Sequence, residues 1–138
     1  KSFPIGSVRL LEGRVTKEHW KNMKDWIKKN TAKCNSIKAI GSGGNINKIA
    51  SLAGKQKGEK LNQKEIENKL TEINPFSYHD RIVKLGMRPD RADVISYAGS
   101  IYLNCLKWSS AKKIFVPQIG LPDGIITQLY IDYKKQYG

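Results

Sequence analysis

The chain has 138 residues, 39% of them hydrophobic with three Trp and six Tyr, and its 25 Lys and Arg outweigh 12 Asp and Glu by a net +13. That length fits one domain with a real core, and the apolar share excludes a disordered chain. No apolar run reaches the roughly 18 residues a membrane span needs, nothing resembles a secretory leader, and the charge favours anionic partners such as nucleic acid, nucleotides or polyanions.

Residues 2–11, SFPIGSVRLL, alternate from Phe3 to Leu11 and predict a strand, with Gly6 marking a bend. Thr16 as a cap predicts a helix over 17–30. On it Lys17, Lys21, Lys24 and Lys28 form one stripe and Trp20, Met23 and Ile27 a neighbouring apolar one, which reads as an amphipathic helix with a solvated lysine face. A short strand over 37–40 runs into AIGSGGNINKIA, whose Ile46, Ile49, Leu52 and Ala53 predict a helix stopped by Gly54. The basic loop GKQKGEK follows, and then a helix with an Asn62–Glu65 capping pair and Ile66, Leu70 and Ile73 on its apolar face. Ser77 caps a further short helix that Gly86 closes. A long buried helix is expected over 91–107, with Asp90 at its cap and Asp93 at its third position. A third strand over 114–116 precedes a C-terminal helix with Ile125, Ile126, Leu129, Tyr130 and Tyr133 expected on its core side. Strands alternating with helices predict an α/β fold with a parallel component. Three strands are few for six helices, so the sheet looks incomplete. The chain also begins at Lys1 rather than Met, as a processed chain or a fragment would.

The stretch Gly41-Ser42-Gly43-Gly44, with Asn45 expected to cap the next helix, admits two readings. Glycines let a ligand approach the backbone, and a helix start offers free N–H groups at a positive dipole end. Equally, a glycine cluster is turn chemistry. Position 46 is Ile rather than Gly and no Gly-Lys-Ser/Thr follows, so neither the dinucleotide fingerprint nor the Walker loop is met. Asp90 and Asp93 read as capping acids. Arg88 and Arg91 flank that cap, where they could hold phosphate or pair with acids. His19 and His79 have no partner at metal-ligand spacing, and no nucleophile constellation is visible. Cys34 and Cys105, the only cysteines, read as free thiols of a cytoplasmic protein.

Taken in order, SFPIGSVRL, AIGSGGNINKIA, RPDRADVISYAGSIYL and IFVPQIGLPDGII resemble the exopolyphosphatase / guanosine pentaphosphate phosphohydrolase family of the actin-like ATPase superfamily. The second segment is similar to the superfamily's adenosine motif, and the third to the family's Arg-Ala-Asp-Val-Ile helix, with Ala98 and Gly99 as its small pair. Asn45 stands where the family usually has Thr, and Pro122-Asp123 replaces the usual Arg-Glu, which removes a positive charge near the substrate path. The resemblance implies a ribonuclease H-like α/β lobe with an incomplete mixed sheet flanked by helices. By that comparison residues 1–138 are the second, C-terminal lobe of a two-lobed phosphohydrolase. The first lobe, with the phosphate loop and catalytic glutamate, and the sheet's two leading strands lie outside it. The implied activity is release of terminal phosphate from polyphosphate or guanosine pentaphosphate, with Mg²⁺ as cofactor and no catalytic residue or metal ligand in these residues. Gly41, Ser42, Gly43, Gly44 and Asn45 would hold phosphate or nucleotide, with Gly6 and Ser7 near the cleft and Lys55, Lys57 and Lys60 as a basic rim. The implied partners are the other lobe and a second copy in a homodimer, and no membrane. The alternatives are a non-enzymatic nucleotide- or nucleic-acid-binding module and a degenerate homologue that binds an alarmone without turnover.

Overall fold

A computed structural model of the chain describes residues 1–137. Its elements are α1 (Ser7–Leu11), α2 (Lys17–Thr31), β1 (Ala39–Ile40), α3 (Gly44–Leu52), β2 (Lys60–Asn62), α4 (Gln63–Ile73), α5 (Tyr78–Val83), α6 (Pro89–Ala92), α7 (Ile95–Ser109), β3 (Lys113–Phe115) and α8 (Leu121–Tyr137). The strands form one mixed sheet in the order β1-β3-β2. β1 runs parallel to β3 with Ala39 opposite Ile114, and β2 runs antiparallel to β3 with Leu61 opposite Ile114. The α/β class holds, and the parallel pair is the expected one.

Local chemistry explains most helix starts. Thr16 accepts from the His19 N–H at 3.2 Å while His19 Nδ1 accepts from the Thr16 N–H, a reciprocal cap in which histidine takes the usual glutamate's place. Asn62 and Glu65 exchange the same pair of bonds at 2.8 Å. Ser77 caps α5 through the Asp80 N–H. The lysine stripe of α2 is exposed along its length and Met23 is buried on the other side.

The core lies between the sheet and α3, α4 and α7. Ile46, Ile49, Leu61, Ile66, Ile95 and Leu106 are fully buried in one cluster that Ile114 and Val116 join from β3 and its end. α7 is the common wall, since α1, α2, α3 and α4 all pack against it. At Gly99 the approach of α4 is so close that an added Cβ would sit 2.5 Å from Leu70 Cδ2. Trp20 of α2 meets Trp108 of α7 edge-on at 5.8 Å.

Four expectations need correction. Residues 2–11 are not a strand. None of the three strands takes this segment as a partner, so after the extended Gly6 the chain satisfies its backbone locally and turns into α1, beginning with the Leu10 N–H on the Gly6 carbonyl at 2.9 Å. The long helix starts earlier and breaks. Pro89, preorganised for a first helical position, moves the cap to Arg88, and the chain steps from α6 to α7 at Asp93 and Val94. β2 forms at the end of the basic loop, where one apolar residue in three, Leu61, is too short a pattern to read. Finally, α8 has no core side at all, since Ile125, Ile126, Leu129, Tyr130 and Tyr133 are all exposed. Its helix forms through local bonds, including the Gly120 N–H on the Asp123 carboxylate at 2.7 Å. The Pro122-Asp123 departure thus has a local role, with Asp123 as half of a capping box.

Burial sets the mutational expectations. Ile95→Ala should destabilise the chain by about 2–5 kcal/mol, whereas Leu129→Ala on α8 should stay within about 0.5 kcal/mol, both read from urea unfolding. The Glu65 carboxyl is held below its ordinary value of 4.5, first by its bond from the Lys55 ammonium and then by the Asn62 amide. A lowered folded-state pKa stabilises above the ordinary carboxylate range, and that contribution is lost as pH falls through it. Acid titration of thermal stability should therefore show a loss below pH about 4.5 that is smaller in Glu65→Gln.

Candidate anion site at the glycine loop

The glycine loop leaves the carboxyl end of β1. Gly41 is buried, and its N–H donates to the Phe115 carbonyl at 2.8 Å, extending the parallel pairing by one residue. A Cβ at Gly41 would lie 2.6 Å from Ile114 Cδ1 and 3.1 Å from Ile46 Cγ1, so the chain passes between β3 and α3 where a side chain does not fit. Ser42 and Gly43 then emerge into solvent. Gly43 has φ +110°, a conformation that favours glycine, and it is the residue that caps α3. Asn45, expected at that cap, is instead inside the first turn and buried, and no side-chain bond caps the helix. The reason is backbone geometry: the positive φ at Gly43 fixes the helix boundary two residues earlier, which turns Asn45 inward.

The helix ladder starts with the Asn47 N–H on the Gly43 carbonyl at 3.1 Å, so the N–H groups of Gly44, Asn45 and Ile46 precede it. Tyr102 of α7 takes the Ile46 amide. Burial raises this phenol's pKa, opposed by that amide and by the positive charge of Arg91. Over Gly44 lies the Arg91 guanidinium, whose Cζ and Nη2 would be 2.6 Å from an added Cβ. Its carboxylate neighbour is Asp90, at 3.5 Å. Arg88, by contrast, points to Asp90 from an exposed position. The structure thus separates two arginines that the sequence left equivalent. A guanidinium at the positive end of a helix is an arrangement that an anion stabilises. Among the described residues, Asn45 Oδ1, Asn47 Oδ1 and Asp93 Oδ1 are buried without a hydrogen-bond partner, two of them on α3 itself.

Ser42 and Gly43 also line a cavity of about 290 Å³ with Ile119, Gly120 and Leu121. The loops after the parallel neighbours β1 and β3 therefore meet at the carboxyl ends of their strands, where α/β sheets bind ligands. Ile119–Leu121 were not legible as site residues, since their sequence signals only a turn. Gly6 and Ser7 sit at the start of α1, which packs on α7, and Phe3 before them meets Trp26 of α2 at 5.7 Å. No hydrogen bond or cavity lining among the described residues joins them to the glycine loop. Lys55 is engaged by Glu65 at 2.6 Å, while Lys57 is exposed.

A larger cleft of about 890 Å³ lies elsewhere, along the edge of β1 that faces away from β3. Lys28, Lys38, Lys60, Lys112 and Lys113 line it with Trp108 and Phe115, and no carboxylate does. Because the Gly41 amide points to β3, strand alternation turns the backbone of Ile40 the other way, and its side chain is 71% exposed. This cleft is an open sheet edge, which agrees with an incomplete sheet, and none of Gly41 to Asn45 contributes to it.

No family model matches the sequence, and no curated protein does. Solved structures do. The chain superposes on an Aquifex aeolicus Ppx/GppA family member with a TM-score of 0.68 and 22% identity, covering 96% of this chain and 49% of that one. For an exopolyphosphatase from Cytophaga hutchinsonii the TM-score is 0.71 and the identity 19%, with 94% and 48% covered. An exopolyphosphatase-like protein matches with a TM-score of 0.63 and 17% identity, over 99% and 50%. The chain has the α/β fold of these structures and spans about half of their length.

The loop conformation is testable by itself. Gly43→Ala should cost about 1–2 kcal/mol in thermal or urea unfolding, because its φ is one that L residues adopt at that cost.

Proposed function

We propose that residues 1–138 are the second lobe of a two-lobed phosphohydrolase that releases terminal phosphate from polyphosphate or guanosine pentaphosphate, and that this lobe holds the phosphate chain. The observation that carries the proposal is the exposed Ser42–Gly43 turn at the carboxyl end of β1, with free amides at the start of α3 and the Arg91 guanidinium above Gly44. Amide donors and a planar guanidinium suit phosphate oxygens and carry no nucleophile or base. The fold likeness to exopolyphosphatase and Ppx/GppA structures, each about twice as long as this chain, supports the same reading.

In this reading the lobe orients a phosphoanhydride and offsets its charge. The group that activates water belongs to the other lobe, so the lobe alone does not turn over. The residues at the loop do not fit Mg²⁺: its donors are N–H groups and a cation, and the described residues hold no cluster of three His, Cys, Asp or Glu. A metal that serves the reaction is therefore held outside this lobe. The described residues include no helix long and apolar enough to cross a membrane, and Cys34 and Cys105 are free thiols, which suits the cytoplasm.

Calorimetric titration of the chain with tripolyphosphate tests the proposal. Saturable binding is expected, and Arg91→Gln should weaken it about tenfold, the loss of a charged hydrogen bond. Salt-sensitive binding to arbitrary DNA, with no response to tripolyphosphate, would favour a nucleic-acid-binding module instead.

A further inference from the structure

α8 is a helix without a core. Leu121, Ile125, Ile126, Leu129, Tyr130 and Tyr133 fall on one side of it and are each between 51% and 78% exposed. Monomeric proteins rarely leave so continuous an apolar face in water. The helix has a place in the fold as well as a face. Its first residue, Leu121, shares a cavity with Ser42 and Gly43, so whatever covers α8 also roofs the glycine loop.

We infer that the apolar face of α8 is the seat of the other half of the same protein, the lobe that the proposed function requires, and that its docking closes the glycine loop from that side. The inference rests on that reading. The similar structures supply the room for it, since this chain covers only 48–50% of theirs. Charge argues against the other occupants. A second copy would bring a net +13 against +13. An anionic membrane surface would call for a cationic polar face, whereas α8 carries Asp123 and Asp132 against Lys134 and Lys135.

Amide exchange over residues 121–137 decides the matter when it is measured in the 138-residue chain and in the longer protein that contains both lobes. Exchange should be at least about tenfold slower in the longer protein, because docking suppresses the opening of α8. Leu129→Glu should abolish that difference while leaving the melting temperature of the 138-residue chain unchanged. Equal exchange in both proteins would overturn the inference. So would dimerisation of the 138-residue chain in sedimentation that Leu129→Glu dissolves, or binding to phosphatidylserine vesicles that the same variant abolishes. Phosphate release from polyphosphate by the longer protein keeps the two ideas apart. Release with an unprotected α8 sinks the docking alone, and a protected α8 without release sinks the activity alone.

Discussion

Gly41 has no room for a side chain, and the rest of the candidate site follows from that. Its backbone runs between Ile114 of β3 and Ile46 of α3 and donates to the Phe115 carbonyl. This contact ties the parallel strand pair to the first turn of the helix. It fixes where the loop leaves the sheet and delivers Ser42 and Gly43 to the carboxyl ends of the strands. A larger residue at this point would push α3 off the sheet, and the core cluster around Ile46 and Ile49 would open with it.

The site is then built from two kinds of positive charge. The start of α3 supplies the partial charge of amides that have no carbonyl partners, and α6 supplies a full charge on Arg91. Each is common alone. Brought together over Gly44, with uncompensated Asn and Asp oxygens buried nearby, they concentrate polar demand in one corner of an otherwise apolar domain. The break between α6 and α7 serves this arrangement. Had residues 91–107 run as one helix from Asp90, Arg91 would follow that helix's axis rather than standing at the separate short turn that crosses α3.

Incompleteness runs through the molecule in two places, for different physical reasons. Along β1 the backbone groups of Ile40 lack a neighbouring strand, and lysines without carboxylates crowd the same edge. Along α8 the unmet demand is apolar instead. Hydrogen-bond donors and oily side chains are satisfied by different partners, so the two surfaces report independently that this fold ends before its interactions do.

What the sequence determined by itself was local. The Thr16, Asn62 and Ser77 caps, the solvated lysine face of α2, the apolar face of α4 and the glycine turn after β1 all follow from residues within one helical turn of each other. The tertiary structure decided whatever depends on partners distant in the chain. Residues 2–11 alternate like a strand but found no strand to pair with and coiled into α1. The stripe on α8 has the spacing of a buried face, yet no element of this chain packs over it, because periodicity records that a face needs cover and not what supplies it. Arg91 and Arg88 could not be told apart until Gly44 was seen beneath one of them. Asn45 moved from cap to interior through a single backbone angle at Gly43, a quantity that residue type permits but does not fix.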